Sequence, residues 1–277
     1  MLFRTKTTRR TIFKAGLASI AAATVTVPQS NAAIRPKAKG EIKVLYLGGD
    51  VWHNGISQEM FLGQTLSKSG WRLLFTHHDQ FVTPEVLSDI DLLIVLRTSA
   101  QNFLAWSTEG IVEDRPVCKV LTEEQDEAII DNIVNRGMGF MALHATCLFS
   151  LIEKYGKIMG IKTMMHGPVQ TVRMHNFNQD HPITKGIKDF NLADDENFGV
   201  EIINKNVIPL YESTGQDDKR HDIAGWCIEA GKGRIVGLCA GHSYTSFMHP
   251  IYRQLHWRAA HWAMKKEIRP YDGPGYR

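Results

Sequence analysis

The stretch that decides the fold is Thr122-Glu123-Glu124-Gln125-Asp126-Glu127-Ala128-Ile129-Ile130-Asp131-Asn132-Ile133-Val134-Asn135-Arg136-Gly137-Met138-Gly139-Phe140-Met141-Ala142-Leu143-His144-Ala145. Thr122 is followed three residues on by Gln125, the order of a capping box that opens a helix. The helical stretch runs to Arg136 and stops at Gly137, a residue that tolerates the left-handed backbone of a helix end. Residues 138–143 are then an unbroken apolar run of strand length, as in a strand buried on both faces. A capped helix feeding such a strand is the unit of a parallel sheet covered by helices.

The same alternation extends on either side. Residues 42–47 read as a buried strand ended by Gly48-Gly49, residues 57–69 have helical spacing, and residues 71–76 and 92–96 are short strands. Residues 97–121 form a long connection, and connections of that length are usually functional or covering. The second half changes character. Residues 169–177, 200–203 and 207–211 read as strands with no long helix between them, and 223–229 and 234–239 as a hairpin through Gly231-Lys232-Gly233. A final helix spans 250–265. The expectation is an α/β fold, a mainly parallel sheet with helices on both faces and an additional β-rich part in the second half.

Ahead of this domain stands a different kind of sequence. Thr8-Arg9-Arg10-Thr11-Ile12-Phe13-Lys14, the apolar run 15–27 and Ser30-Asn31-Ala32-Ala33 follow the charged, apolar, small-residue order of a removable leader. The paired arginines point to the twin-arginine route, hence to a periplasmic or otherwise exported protein. The apolar run is shorter than the roughly 20 residues a membrane span needs, so no stable span is expected after cleavage. The expected organisation is leader 1–33, linker 34–41, domain 42–266 and C-terminal tail 267–277. The leader holds five basic and no acidic side chains. Of 32 basic residues, 27 therefore remain against 29 acidic ones, and the formal charge of +3 becomes −2. That balance gives no footprint for a phosphate backbone, and nucleic acid is not an expected partner.

Three histidines share one address. His53 follows the first strand, His144 ends the strand 138–143, and His242 follows the strand 234–239 through Ala240-Gly241. Ligands of open α/β sheets bind beyond the carboxyl ends of the strands, so these imidazoles are expected to meet. There they can serve as acid, base or donor, or as ligands of a divalent metal such as zinc. His166, His181 and the acidic run Asp194-Asp195-Glu196 are candidates for the same rim, though His181-Pro182 also reads as a turn into a short helix. His77, His78, His221, His256 and His261 are assigned to surface or core positions. Cys147, Cys227 and Cys239 lie in apolar surroundings and are expected to be buried thiols; with Cys118 they form no C-x-x-C pair. No Gly-x-Ser-x-Gly elbow, phosphate loop or dinucleotide fingerprint is present, so no dinucleotide is expected.

Taken in order, Leu47-Gly48-Gly49 with His53, Gly137 to Ala145, His181-Pro182-Ile183-Thr184-Lys185-Gly186-Ile187, Asp195-Glu196 and Gly231 to His242 resemble the ThuA-like (trehalose utilisation) family. The resemblance covers about residues 42–264. It implies a flavodoxin-like fold related to class I glutamine amidotransferases, with His144 on the turn where those enzymes carry a cysteine. Amidotransferase chemistry is therefore not expected. It also implies a sugar substrate and a sugar dehydrogenase acting in the same pathway. On this footing the expected activity is proton abstraction next to the carbonyl of a keto-sugar or glycoside, as in an isomerase, epimerase or lyase. His144 and Glu196 are the candidate catalytic residues, Trp52, Asp50, Trp106 and His166 the candidate substrate contacts, and His53, His144 and His242 the candidate metal ligands. A non-catalytic periplasmic sugar-binding protein is the alternative, and a hydrolase working through Cys147 a weaker one.

Overall fold

A computed structural model describes residues 35–50, 52–98, 121–164, 166–176 and 178–273. The leader, Trp106, Cys118 and most of the 97–121 connection lie outside the described residues. Residues Pro36–Arg277 form one compact unit.

Five parallel strands carry the fold: β1 (Lys43–Gly48), β2 (Arg72–Thr76), β3 (Leu92–Leu96), β4 (Gly139–Leu143) and, from far along the chain, β11 (Gly233–Leu238). Their order, β2-β1-β3-β4-β11, is the flavodoxin-like order, with the chain reversing direction at β1 and β3. Every residue of β1, β3 and β4 is buried, which is why these segments are continuous apolar runs rather than alternating ones. Parallel connections are as a rule right-handed, which puts helices on both faces of such a sheet. Helices α1 (Gly55–Leu66) and α6 (Pro250–Ala263) pack on each other, α6 also covering β4 and β11; α2 (Pro84–Leu87) packs with α3 (Glu123–Asp131).

The capping box at Thr122 and Gln125 is formed on both sides. Beyond Asp131 the helix loosens into a π turn, Asn132–Arg136, and Gly137 ends it at φ 96°, a conformation that favours glycine. The strand and helix expectations for the first half hold to within a few residues.

The β-rich second half is not a separate layer. It continues the same sheet on the far side of β11 through antiparallel β10 (His221–Ala230), β9 (Ile208–Gly215), β6 (Val169–Asn176) and β7 (Phe190–Glu196). Two short strands, β5 (Ile161–Thr163) and β8 (Val200–Ile202), pair with each other, and β8 joins β10. Strands β5 and β7 and the helices α2, α4 (Glu153–Met159) and α5 (Tyr244–Met248) have no counterpart in the sequence reading. His181-Pro182 opens hydrogen-bonded turns and no helix, Thr184 and Lys185 N–H both donating to the His181 carbonyl. The flanks make contacts of their own. Lys37 binds Asp91 at 2.7 Å and the Asp89 carboxylate through its backbone N–H, while Trp257 Nε1 donates to the Arg269 carbonyl at 2.8 Å. Linker and tail are thus tied to the domain. Among the described residues no helix is long and apolar enough to cross a membrane.

Candidate functional site

The carboxyl edge of the parallel strands ends in imidazoles. His53 lies beyond β1, His144 directly after β4, and His242 beyond β11. One nitrogen from each lies within 4.8 Å of the others. The rings stand edge to face, with centroids 4.8 Å apart for His53–His144 and 5.5 Å for each of the other two pairs. His144 sits at φ 45°, a left-handed backbone uncommon outside glycine though histidine adopts it more readily than most.

Two of the three rings have a set tautomer. His53 Nδ1 lies 2.8 Å from the Asp50 carboxylate, and His144 Nδ1 lies 2.8 Å from the Cys239 carbonyl. Both acceptors lack protons, so Nδ1–H donates and each Nε2 lone pair is left for the cluster. This is the outer-shell arrangement that prepares metal-ligating histidines. Burial pushes the His53 imidazole below its ordinary value; Asp50 opposes this, and the charges of His144 and His242 add to it. A neutral ring is the form that can bind a metal.

Asp50, expected among the substrate contacts, is turned inward instead. Its side chain is fully buried and accepts from the backbone N–H groups of Trp52, His53 and Thr98 as well as from the His53 ring. Burial would raise its pKa, but the His53 ring and these N–H groups hold it below the usual range. It serves to hold His53. Trp52 does face solvent, at 43% exposure, and His166 is about a third exposed at the rim.

Glu196, at the end of β7, is the carboxylate that joins the cluster. Its Oε2 lies 3.5 Å from His144 Nε2 and 3.3 Å from His166 Nδ1, and its Oε1 lies 3.4 Å from His242 Nδ1. Burial alone would raise Glu196, yet the rings of His144 and His242 and the charge of His166 hold it well below the usual carboxylate range. In return Glu196 raises His242. The site sets imidazole nitrogens around a carboxylate held in its ionised form. Phe198 closes one side, 5.3 Å from the His144 ring and 5.9 Å from His166.

Gly241 leads into His242 with a positive φ. It adopts φ 126°, and a Cβ there would meet the Phe247 ring at 3.1 Å and His144 Cβ at 3.6 Å. Its missing side chain makes room for protein packing. Cys147 is buried and faces Cys239, their sulfurs 3.8 Å apart; both are free, as is buried Cys227. A sulfur with no exposed surface is no nucleophile for a dissolved substrate, and the hydrolase reading through Cys147 is dropped. Sequence reasoning missed Phe198, the Cys239 carbonyl and Ser246. Of these only Ser246 had a signal, its place just after His242.

Comparison with known proteins agrees with this architecture. A solved ThuA-like protein from Parabacteroides merdae is 19% identical, with a TM-score of 0.63 over 85% of this chain and 95% of its own. One from Bacteroides uniformis is 18% identical, with a TM-score of 0.61 over 83% and 94%. A β-galactosidase from Bacillus circulans shares the fold over 85% of this chain but only 32% of its own, at 10% identity and a TM-score of 0.55. No curated protein matches the sequence. The family model for ThuA, trehalose utilisation, matches residues 43–263. With that family model spanning nearly the whole domain, the chain belongs to the ThuA trehalose-utilisation family.

Proposed function

We propose that this protein is an exported enzyme of sugar catabolism that removes a proton next to the carbonyl of a keto-sugar or glycoside. The observation that carries the reading is the meeting of two tautomer-fixed Nε2 atoms, His53 and His144, with His242 and the Glu196 carboxylate at one sheet edge. His53, His144 and His242 fit a divalent metal such as zinc in residue type and number. When bound, that ion supplies Lewis acidity to a carbonyl oxygen. The protein's own groups do the rest. Glu196, kept ionised, accepts the C–H proton, and the electron pair moves into the enolate. Returning the proton to carbon gives isomerisation or epimerisation, while loss of a β-substituent gives elimination. His166, beside Glu196, is placed to orient the sugar oxygens, and the exposed Trp52 ring offers an apolar face to a sugar. A sugar dehydrogenase producing the ketone is the proposed pathway partner. The leader at 1–33 supports export.

Turnover of a 3-keto-glycoside followed by NMR tests the reading. His144→Ala and Glu196→Gln are each expected to lower it by at least about 100-fold, the usual scale of a general base. Unchanged turnover in both variants sinks the proposal, and sugar binding with no product from the wild type would leave a binding protein.

A further inference from the structure

We infer that Asp195, which has no reach to a substrate, is the positioning residue that sets Glu196 and His242 against each other. The inference rests on the metal-assisted reading of this same site.

Asp195 is completely buried at the end of β7. Its Oδ1 accepts the Glu196 backbone N–H at 2.8 Å and the His242 N–H at 3.2 Å. The Gly241 N–H is shared between both oxygens, 2.9 Å from Oδ2 and 3.2 Å from Oδ1. The Ser246 hydroxyl donates to Oδ2. One carboxylate therefore holds the backbone of the base and the backbone of a ligand. These two residues come from β7 and from the turn after β11, which are not neighbours in the sheet.

Helix capping does not explain these contacts. The N-cap of α5 is Ser243, whose side chain makes no cap bond, and α5 is only five residues long. Asp195 instead engages the two residues leading up to it, and Gly241 with its φ of 126° has a backbone that must be pinned from outside. Leaving those buried N–H groups unpaired carries a desolvation penalty that an intact carboxylate removes. An amide cannot replace it. Both oxygens accept from backbone N–H groups, so the NH₂ introduced by Asp195→Asn would face a donor whichever way the amide turned.

The test uses the mature full-length chain as Asp195→Asn and Ser246→Ala, with Co(II) as the metal probe. Two readouts are taken: Co(II) affinity with its d–d absorption, and metal-free long-range ¹H–¹⁵N spectra of the histidine rings. Asp195→Asn is expected to weaken Co(II) binding about 10–100-fold, the scale for outer-shell partners. It should also change the d–d band and move the His242 ring signals while those of His256 stay in place. Ser246→Ala, which removes one donor and keeps the carboxylate, should move both readouts the same way by less. Unchanged Co(II) affinity together with unmoved His242 signals overturns the assignment. Should the wild type take up no Co(II), the metal reading alone fails. The metal-free spectra then decide: moved His242 signals sustain the role of Asp195 and unmoved ones overturn it. If Asp195→Asn does not fold, Ser246→Ala is judged by the same two readouts.

Discussion

Two regions of this molecule bury histidines, and they differ in what the second ring nitrogen meets. At the sheet edge, His53 and His144 give Nδ1–H to Asp50 and to the Cys239 carbonyl, and their other nitrogens face His242 and Glu196. Along α6, His256 and His261 give Nδ1–H to the Tyr252 and Trp257 carbonyls at 2.8 Å each. There the Nε2 atoms are buried without a partner, and the rings lie against Phe247, Tyr252, Trp71 and Trp257. Burial and one fixed tautomer are common to both regions. Convergence of ring nitrogens from separate strands beside a carboxylate belongs to one, so convergence rather than burial separates the candidate site from a packed pair.

Removing the three histidines proposed as metal ligands breaks the comparison most strongly. The triple variant His53→Ala/His144→Ala/His242→Ala is expected to lose stoichiometric divalent metal, with affinity falling by more than the ~100-fold that outer-shell partners are worth. His256→Phe should leave metal content unchanged. Metal analysis of both proteins, purified without a histidine tag, checks this. Equal loss in both would mean that the two regions do not differ in metal binding.

The next effect belongs to the other region and appears in stability. Burial pushes His256 from its ordinary 6.5 down to about 4, the Tyr252 carbonyl opposing and Arg253 adding to the fall. An unfolded His256 takes up its proton near pH 6.5 and the folded one only near pH 4. Between these values the unfolded chain holds more protons, so this contribution to stability is full above pH 6.5, falls with acidification, and levels off below about pH 4. The linkage amounts to about 3 kcal/mol. Denaturant unfolding of the wild type and His256→Phe at about pH 7 and about pH 4.5 should show the variant losing less. Parallel losses would show that His256 is not the group responsible.

How much of this was legible follows the same division. The parallel half could be read because its strands are uniformly apolar and its helices are capped and stopped by residues such as Thr122 and Gly137. Three histidines at strand ends were therefore placed at one edge. Strand β7 could not be read. Phe190 and Leu192 begin an apolar alternation, but Asp194-Asp195-Glu196 then looks like solvated charge. Nothing in composition shows that Asp195 is buried under four donors. Asp50 misled for a related reason: an acid after Gly48-Gly49 suits a rim, and only the fold turns it inward onto His53. The parallel pairing of β11 with β4 joins distant segments, which no local pattern encodes.

The aromatics of the two regions separate as well, one by stability and the other by a small change in KM. Trp257 is buried, stacks on Trp71 at 6.0 Å and 10°, and hydrogen-bonds the Arg269 carbonyl. Trp52 stands 43% exposed beside His53. Trp257→Ala should cost about 3–5 kcal/mol of stability, the scale of a deleted core ring. Trp52→Ala should change stability by no more than about 0.5 kcal/mol, as surface substitutions do. If the Trp52 ring meets the sugar, its loss should raise the KM for a 3-keto-glycoside by roughly five-fold, about the 1 kcal/mol worth of an aromatic contact, with kcat nearly unchanged. Stability lost with no change in KM would instead make Trp52 a packing residue. The reverse pattern would place the substrate on the side of the cluster that β1 presents.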